Sequence, residues 1–257
     1  MNPTINKKTL NFINYASLPI LVILVWYIAT ANGWVSMLIL PNIKSVWGAF
    51  ITLLNNGQLA GDLKASLSRV GKGYAIAVVF GISLGSLMGA FTRVNKFFIL
   101  TLNFIRQIPI LAWMPLIIIW FGIEETSKVV VVTMGTFFPI LLNTISGIHS
   151  ISPNYVEVGR MLKLNPMQMF LKVYIPQALP SIFVGLRLSM GIAWMVVVAA
   201  ELIAAKSGLG FRINDARTMM QSDIVIVGMF VIGIVGITLD RIIGAIGRLI
   251  TPWMNRR

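Results

Sequence analysis

The chain has 257 residues, 57% of them hydrophobic and only 11% charged, with a mean hydropathy of +0.84. Soluble domains carry about 25% charged residues, so this much apolar surface has to face another apolar medium, and lipid is the obvious one. The net charge of +13 does not mark a nucleic-acid binder, because Lys and Arg fall in the gaps between apolar runs and not on one face, while the lack of Cys and the single His exclude disulfides, Cys-based metal sites and a credible acid–base centre.

A hydrocarbon layer about 30 Å thick takes about 20 residues of helix. Six apolar segments of that order occur, predicting an all-α, polytopic membrane protein with about six transmembrane helices in one domain, residues 1–257. The first, 18–35, follows Lys7 and Lys8, and Ala29-Thr30-Ala31 also fits a signal-peptide cleavage pattern. A hydrophilic stretch, 41–73, leads to the second, 74–91, which has no charge. Gly81, Gly85 and Gly89 recur there at a spacing that lets helices approach closely, either as a scaffold or dimer contact or as ordinary bundle packing.

The third segment, 97–122, holds Arg106, Gln107, Pro109 and Pro115. Each Pro lacks a backbone donor and clashes with the preceding turn, so this span should bend or break. Broken helices often line substrate paths, and static kinks are also common in membranes. The fourth, 129–148, ends at His149, an interface residue. The fifth, 180–205, contains Arg187 and Glu201; the sixth, 224–246, ends near Asp240 and Arg241, read as an inner-face anchor. Trp26, Trp34, Trp120 and Trp253 read as interfacial belt residues.

Arg106 and Arg187 lie roughly 13 Å and 10 Å into their spans at 1.5 Å per residue. Intramembrane charges are costly and face cavities or partners. These two either form a cationic lining that attracts an anionic substrate or snorkel towards the headgroups. Glu201 falls near the outer end of its span as a gate residue, a partner of an outer-loop Lys such as Lys206, or an exposed interface residue. Six spans put both termini on one side. With that side cytoplasmic, Lys7, Lys8, Arg93, Lys96, Arg160, Lys163, Lys172, Arg241, Arg248, Arg256 and Arg257 are inside, a small excess over the outer segments.

The stretch 150–177 between the fourth and fifth spans is hydrophilic yet helical in pattern. Ser152 can cap a helix with Pro153 at its first position, and Asn165-Pro166 repeats the signal, predicting two short helices outside the bilayer. Pro176 and Pro180 should punctuate the approach to the fifth span. Tyr155, Val158, Leu162, Met167, Phe170 and Leu171 recur at roughly helical spacing. They fit either a helix lying on the membrane or one docked into a groove of a soluble partner.

This stretch resembles the EAA motif of ABC-importer permeases: E-A-A, three residues, Gly, nine residues, then I-x-L-P. Glu157 matches the Glu, Val158 and Gly159 stand for the two Ala, and Lys163 stands for the Gly. Val173, Ile175 and Pro176 match the closing I-x-L-P. IRQIPILAWMPLIIIWFGIEETSK, GTFFPILLNTISGI and GLRLSMGIAWMVVVAAELIAAKSGLG resemble the third-, fourth- and fifth-span signatures of the nitrate/sulfonate/taurine importer permeases. The resemblance runs from about Val46 to Pro252.

The resemblance implies a type I importer permease of MetI-like fold, paired with a second copy of itself around a central path. It implies an extracytoplasmic binding protein that delivers substrate. Two ATP-binding subunits would hold ATP and Mg and grip residues 150–177, with Tyr155, Glu157, Met161, Leu162 and Pro166 in the contact. It favours small oxyanions, aliphatic sulfonates first, then nitrate or taurine, with a pyrimidine-type vitamin precursor as alternative. Consistent with a separate motor, the chain has no G-x-x-x-x-G-K-[ST] loop to cradle nucleotide phosphates. An ion-coupled secondary transporter would need acidic or His residues near the bilayer centre, and the spans are nearly free of them.

Overall fold

A computed structural model describes the backbone of residues 7–251 and the side chains of residues 17–251. The side chains of Lys7 and Lys8, and Pro252, Trp253, Arg256 and Arg257, lie outside the described residues. Every described element is helical.

Helix α1, Lys7–Ala31, includes the apolar stretch Ser17–Ala31, whose Leu21, Ile23 and Val25 are more than half exposed, as on a lipid-facing helix. Trp26 at its end donates from Nε1 to the Pro41 carbonyl at 2.9 Å. Helix α2, Ile43–Asn55, starts where the Asn42 side chain accepts from the Ser45 amide at 2.7 Å. Helix α3, Gln58–Ala90, begins well upstream of the apolar run that starts at 74. The reason is that Asp62, Ser66 and Arg69, spaced as one helical face, are buried in protein, so a segment that reads as hydrophilic loop is helix.

The small-residue stripe of α3 is longer than expected. Gly73, Ala77, Gly81, Gly85 and Gly89 recur every fourth residue and seat helix α6, Glu125–His149. A Cβ at Gly73, Gly81, Gly85 or Gly89 would lie 2.7 Å from Val132, 2.9 Å from Ile140, 2.8 Å from Thr144 or 2.9 Å from Ile148. The stripe therefore serves packing within the chain.

The third apolar segment is not one continuous helix. Helix α4, Thr92–Gln107, is followed by a 3-10 turn, Ile110–Trp113, and helix α5, Met114–Phe121, with a bend of 89°. Ile108 leaves helical conformation (φ −78°, ψ 119°), as a residue before Pro favours, and Pro109 cannot continue the ladder. Pro115 occupies the first turn of α5, where a missing N–H costs nothing, so the break belongs to Pro109.

Helix α7, Pro153–Met161, is followed by α8, Pro166–Met169, a π turn, Phe170–Tyr174, and α9, Ile175–Ala204. Helices α10, Leu209–Thr218, and α11, Ser222–Ile250, complete the described chain. Close approach of α6 and α9 depends on Gly147 against Ala178 and Ser181, and on Gly185 against Asn143. Trp194 of α9 donates from Nε1 to the Ile232 carbonyl of α11 at 2.9 Å. By length and composition four of the described helices can cross a membrane (α3, α6, the continuous 166–204 helix and α11), and the bent α4–α5 pair would make a fifth.

The chain forms two compact units, Met1–Leu59 with Arg212–Phe230, and Ala60–Phe211 with Val231–Arg257. The sites below lie in the second unit.

Candidate functional site

Residues 150–177 form a bent helical segment outside the apolar runs. Ser152 starts α7 with no capping bond from its side chain, leaving Pro153 as the start signal. Asn165 does cap α8: its side chain accepts from the Gln168 amide at 2.8 Å, and Gln168 accepts from the Asn165 amide at 3.1 Å, a reciprocal capping box. Lys163, at the motif's Gly position, has φ +51°, the left-handed conformation that favours Gly after a helix end. Gly159 is buried against Met169, whose Sδ lies 2.7 Å from where a Cβ would stand, so this contact fixes the angle between α7 and α8.

The second short helix is not separate from the fifth span. Ile175 donates to the Phe170 carbonyl, an i to i−5 bond, and the π turn carries α8 into α9 past Pro176. Residues 166–204 form one helix of 39 residues, so Pro176 and Pro180 sit inside it and do not end it. Val173, Ile175 and Pro176 are partly buried along this join, while Glu157 is exposed. The outer face of the segment is apolar: Tyr155, Val158, Met161, Leu162, Met167 and Leu171 are all at least 52% exposed.

The α4–α5 break opens a cavity of about 330 Å³. Arg106 and Pro109 line it together with Trp113, Phe138, Leu142 and Ile192. Gln107 is exposed beside it and Pro115 lies beyond the turn. Arg106 is exposed and its guanidinium has no recorded partner among the described residues. Arg187 differs. Its Nε and Nη2 donate to Asp240 at 2.8 Å and 2.7 Å, a bidentate pair from α9 to α11. Arg187 is thus neither an unpaired lining cation nor a free snorkelling chain, and Asp240 is its counterion, not an inner-face anchor.

Glu201 is the clearest correction. It is 1% exposed, and its hydrogen bonds run to α3 and the 205–210 turn and not to Lys206. Its carboxylate accepts from Arg69 Nη1 at 2.6 Å, Ser66 Oγ at 2.8 Å and the Gly210 amide at 2.9 Å. Arg69, also 1% exposed, gives its other donors to Glu125 at 2.6 Å and 2.7 Å, to the Ser207 carbonyl at 2.7 Å and to Ser207 Oγ at 2.9 Å. The Gly208 amide donates to Asp62 at 2.9 Å and the Leu209 amide to Ser66 Oγ at 3.0 Å. Gly208, at φ +114°, has no room for a side chain, since a Cβ would stand 2.4 Å from the Glu201 carboxyl carbon. Beside this cluster Lys128, 2% exposed, donates to the Ile123 and Glu124 carbonyls. The cluster ties α3, α6, α9 and the 205–210 turn together.

A model of the binding-protein-dependent transport system inner membrane component family matches residues 77–256. A Bacillus subtilis protein described as an aliphatic sulfonates transport permease, SsuC, is 34% identical over 97% of this chain and 90% of its own length. The Escherichia coli taurine transport system permease protein TauC is 34% identical over 94% and 89%. The Synechocystis bicarbonate transport system permease protein CmpB is 38% identical over 73% and 68%. In fold, the chain matches the MetNI methionine ABC transporter in an inward-facing conformation, with a TM-score of 0.59 over 73% of this chain and 94% of that one at 18% identity. The family match runs through the broken helix and the bent segment, and the chain belongs to the binding-protein-dependent transport inner membrane component family: a multi-pass permease subunit of an ABC importer, working with ATP-binding and substrate-binding partners.

Proposed function

We propose that the chain pairs with a second copy, with both termini in the cytoplasm, to form the path of an importer for small anions, alkanesulfonates first and nitrate or taurine next. Two ATP-binding subunits, which bind ATP and Mg, grip residues 150–177; an external binding protein delivers the solute. Residues 1–257 serve as one transmembrane permease domain, with 150–177 as its coupling segment. Relatives named for aliphatic sulfonates, taurine and bicarbonate support the solute class.

The observation that carries this reading is the unbroken helix from 166 to 204. Closure of the ATP-binding subunits displaces the apolar face of α7, the Gly159–Met169 contact passes the displacement to α8, and the π turn delivers it to α9 without a hinge. Packed helices move as bodies, so α9 and its close partner α6 swing together and alternate access. Reconstitution in proteoliposomes with both partners tests this: ethanesulfonate uptake should require ATP and both partners. Uptake without the ATP-binding subunits, or none of any anion with every partner present, contradicts it.

A further inference from the structure

The cavity at the α4–α5 break combines one unengaged guanidinium with apolar and aromatic walls. Its volume of about 330 Å³ falls at the small end of ligand pockets, roughly 300–1,000 Å³. Pro109 creates it by turning the chain through 89°, and Gly135 of α6 lines it from the neighbouring helix.

We propose that this cavity binds a monoanion with a short apolar tail, its oxyanion head on Arg106 and its tail against Trp113, Phe138, Leu142 and Ile192. The proposal rests on the importer reading and narrows the solute class within it.

The head follows from charge and geometry. A guanidinium presents a planar fork that two oxygens of a sulfonate or carboxylate can meet together. Among the described residues no other Lys or Arg lines the cavity, so a single negative charge is matched and a second would have no cation. Arg187 cannot supply the second cation, because Asp240 occupies its fork. The tail follows from the walls. An inorganic anion such as nitrate or bicarbonate would meet apolar walls on the sides away from Arg106 and gain no donors from them. An alkyl chain instead gains about fourfold in affinity for each methylene it buries.

Trp113 provides the readout. The assembled transporter, in lipid nanodiscs, is titrated with ethane-, propane-, butane- and pentanesulfonate and with sodium nitrate, following Trp fluorescence; the Trp113→Phe variant defines the background. Affinity should climb roughly fourfold per methylene along the series, with nitrate weakest. Arg106→Gln should lose about tenfold or more and Arg106→Lys should recover part of it. Because Arg106 is exposed, both variants should melt with the parent protein. Affinity independent of chain length, equal affinity in Arg106→Gln, or a signal that survives Trp113→Phe overturns the proposal. ATP-driven ethanesulfonate uptake separates the two levels of inference. Normal uptake in Arg106→Gln removes the cavity and leaves the importer standing. No uptake in the parent complex, with chain-length-dependent binding at Trp113 intact, removes the importer reading alone.

Discussion

Replacing Glu201 with Ala should be among the most destabilising single changes in this chain. The carboxylate is fully enclosed and serves three donors: Arg69 Nη1 at 2.6 Å, Ser66 Oγ at 2.8 Å and the Gly210 amide at 2.9 Å. Removing it leaves the 1%-exposed Arg69 with Glu125 as its one paired carboxylate, and that side chain is 61% exposed and partly screened. Breaking a buried pair from one side costs about 3–5 kcal/mol. The Gly210 amide, left without an acceptor, adds about 1–3 kcal/mol. Gln preserves size and an acceptor oxygen, so Glu201→Gln should lose roughly half as much. Thermal unfolding in detergent measures both: at about 2–4 °C per kcal/mol for a chain of this size, Ala should melt at least 8 °C lower. An Ala variant within about 2 °C of the parent would refute the reasoning and return Glu201 to the role of an exposed interface residue.

Gly85→Leu should force α3 from α6, since a Cβ there already meets Thr144 at 2.8 Å; a loss of about 1–3 kcal/mol or more is expected in the same melt, and an unchanged melt would show that the stripe is not a packing seat. Lys163→Gly should stabilise by about 1 kcal/mol, because φ +51° is strained for Lys and free for Gly; a melt that stays level or falls would contradict this. Arg187→Asp and Asp240→Arg should each reduce the protein accumulated in membranes, and the double swap should restore it; additive losses would show that the bidentate pair contributes nothing.

The apolar runs locate the spans because each must cross about 30 Å of hydrocarbon in helical form, a constraint that composition alone expresses. Pro109 likewise announces the α4–α5 break, since a Pro and the residue before it have few conformations open to them. Partnership was harder to read. Asp62, Ser66 and Arg69 read as solvated loop because the carboxylate that buries two of them lies 132 residues from Arg69. Their spacing of four and three residues on one helical face was the available signal. Glu201 was legible as a costly charge and not as a partner of Arg69, and Asp240 looked like an anchor because its partner is 53 residues away. The continuity of α8 with α9 was obscured by Pro176, which ordinarily ends a helix; a π turn just before it lets the helix continue. The left-handed turn at Lys163 falls at the motif's Gly position, but a Lys there hides the turn from the sequence.

The central claim is that the exposed apolar face of α7 is held by a separate ATP-driven subunit on the cytosolic side. Met161, 80% exposed on that face, is the site at which to place a Cys in a chain that has none of its own. In the assembled transporter this Cys should crosslink to the ATP-binding subunit through a short thiol-reactive linker, and the yield should change between ATP-bound and nucleotide-free states. A Cys at 161 that is labelled freely from the external side, or that never crosslinks while the complex still transports, would contradict the account.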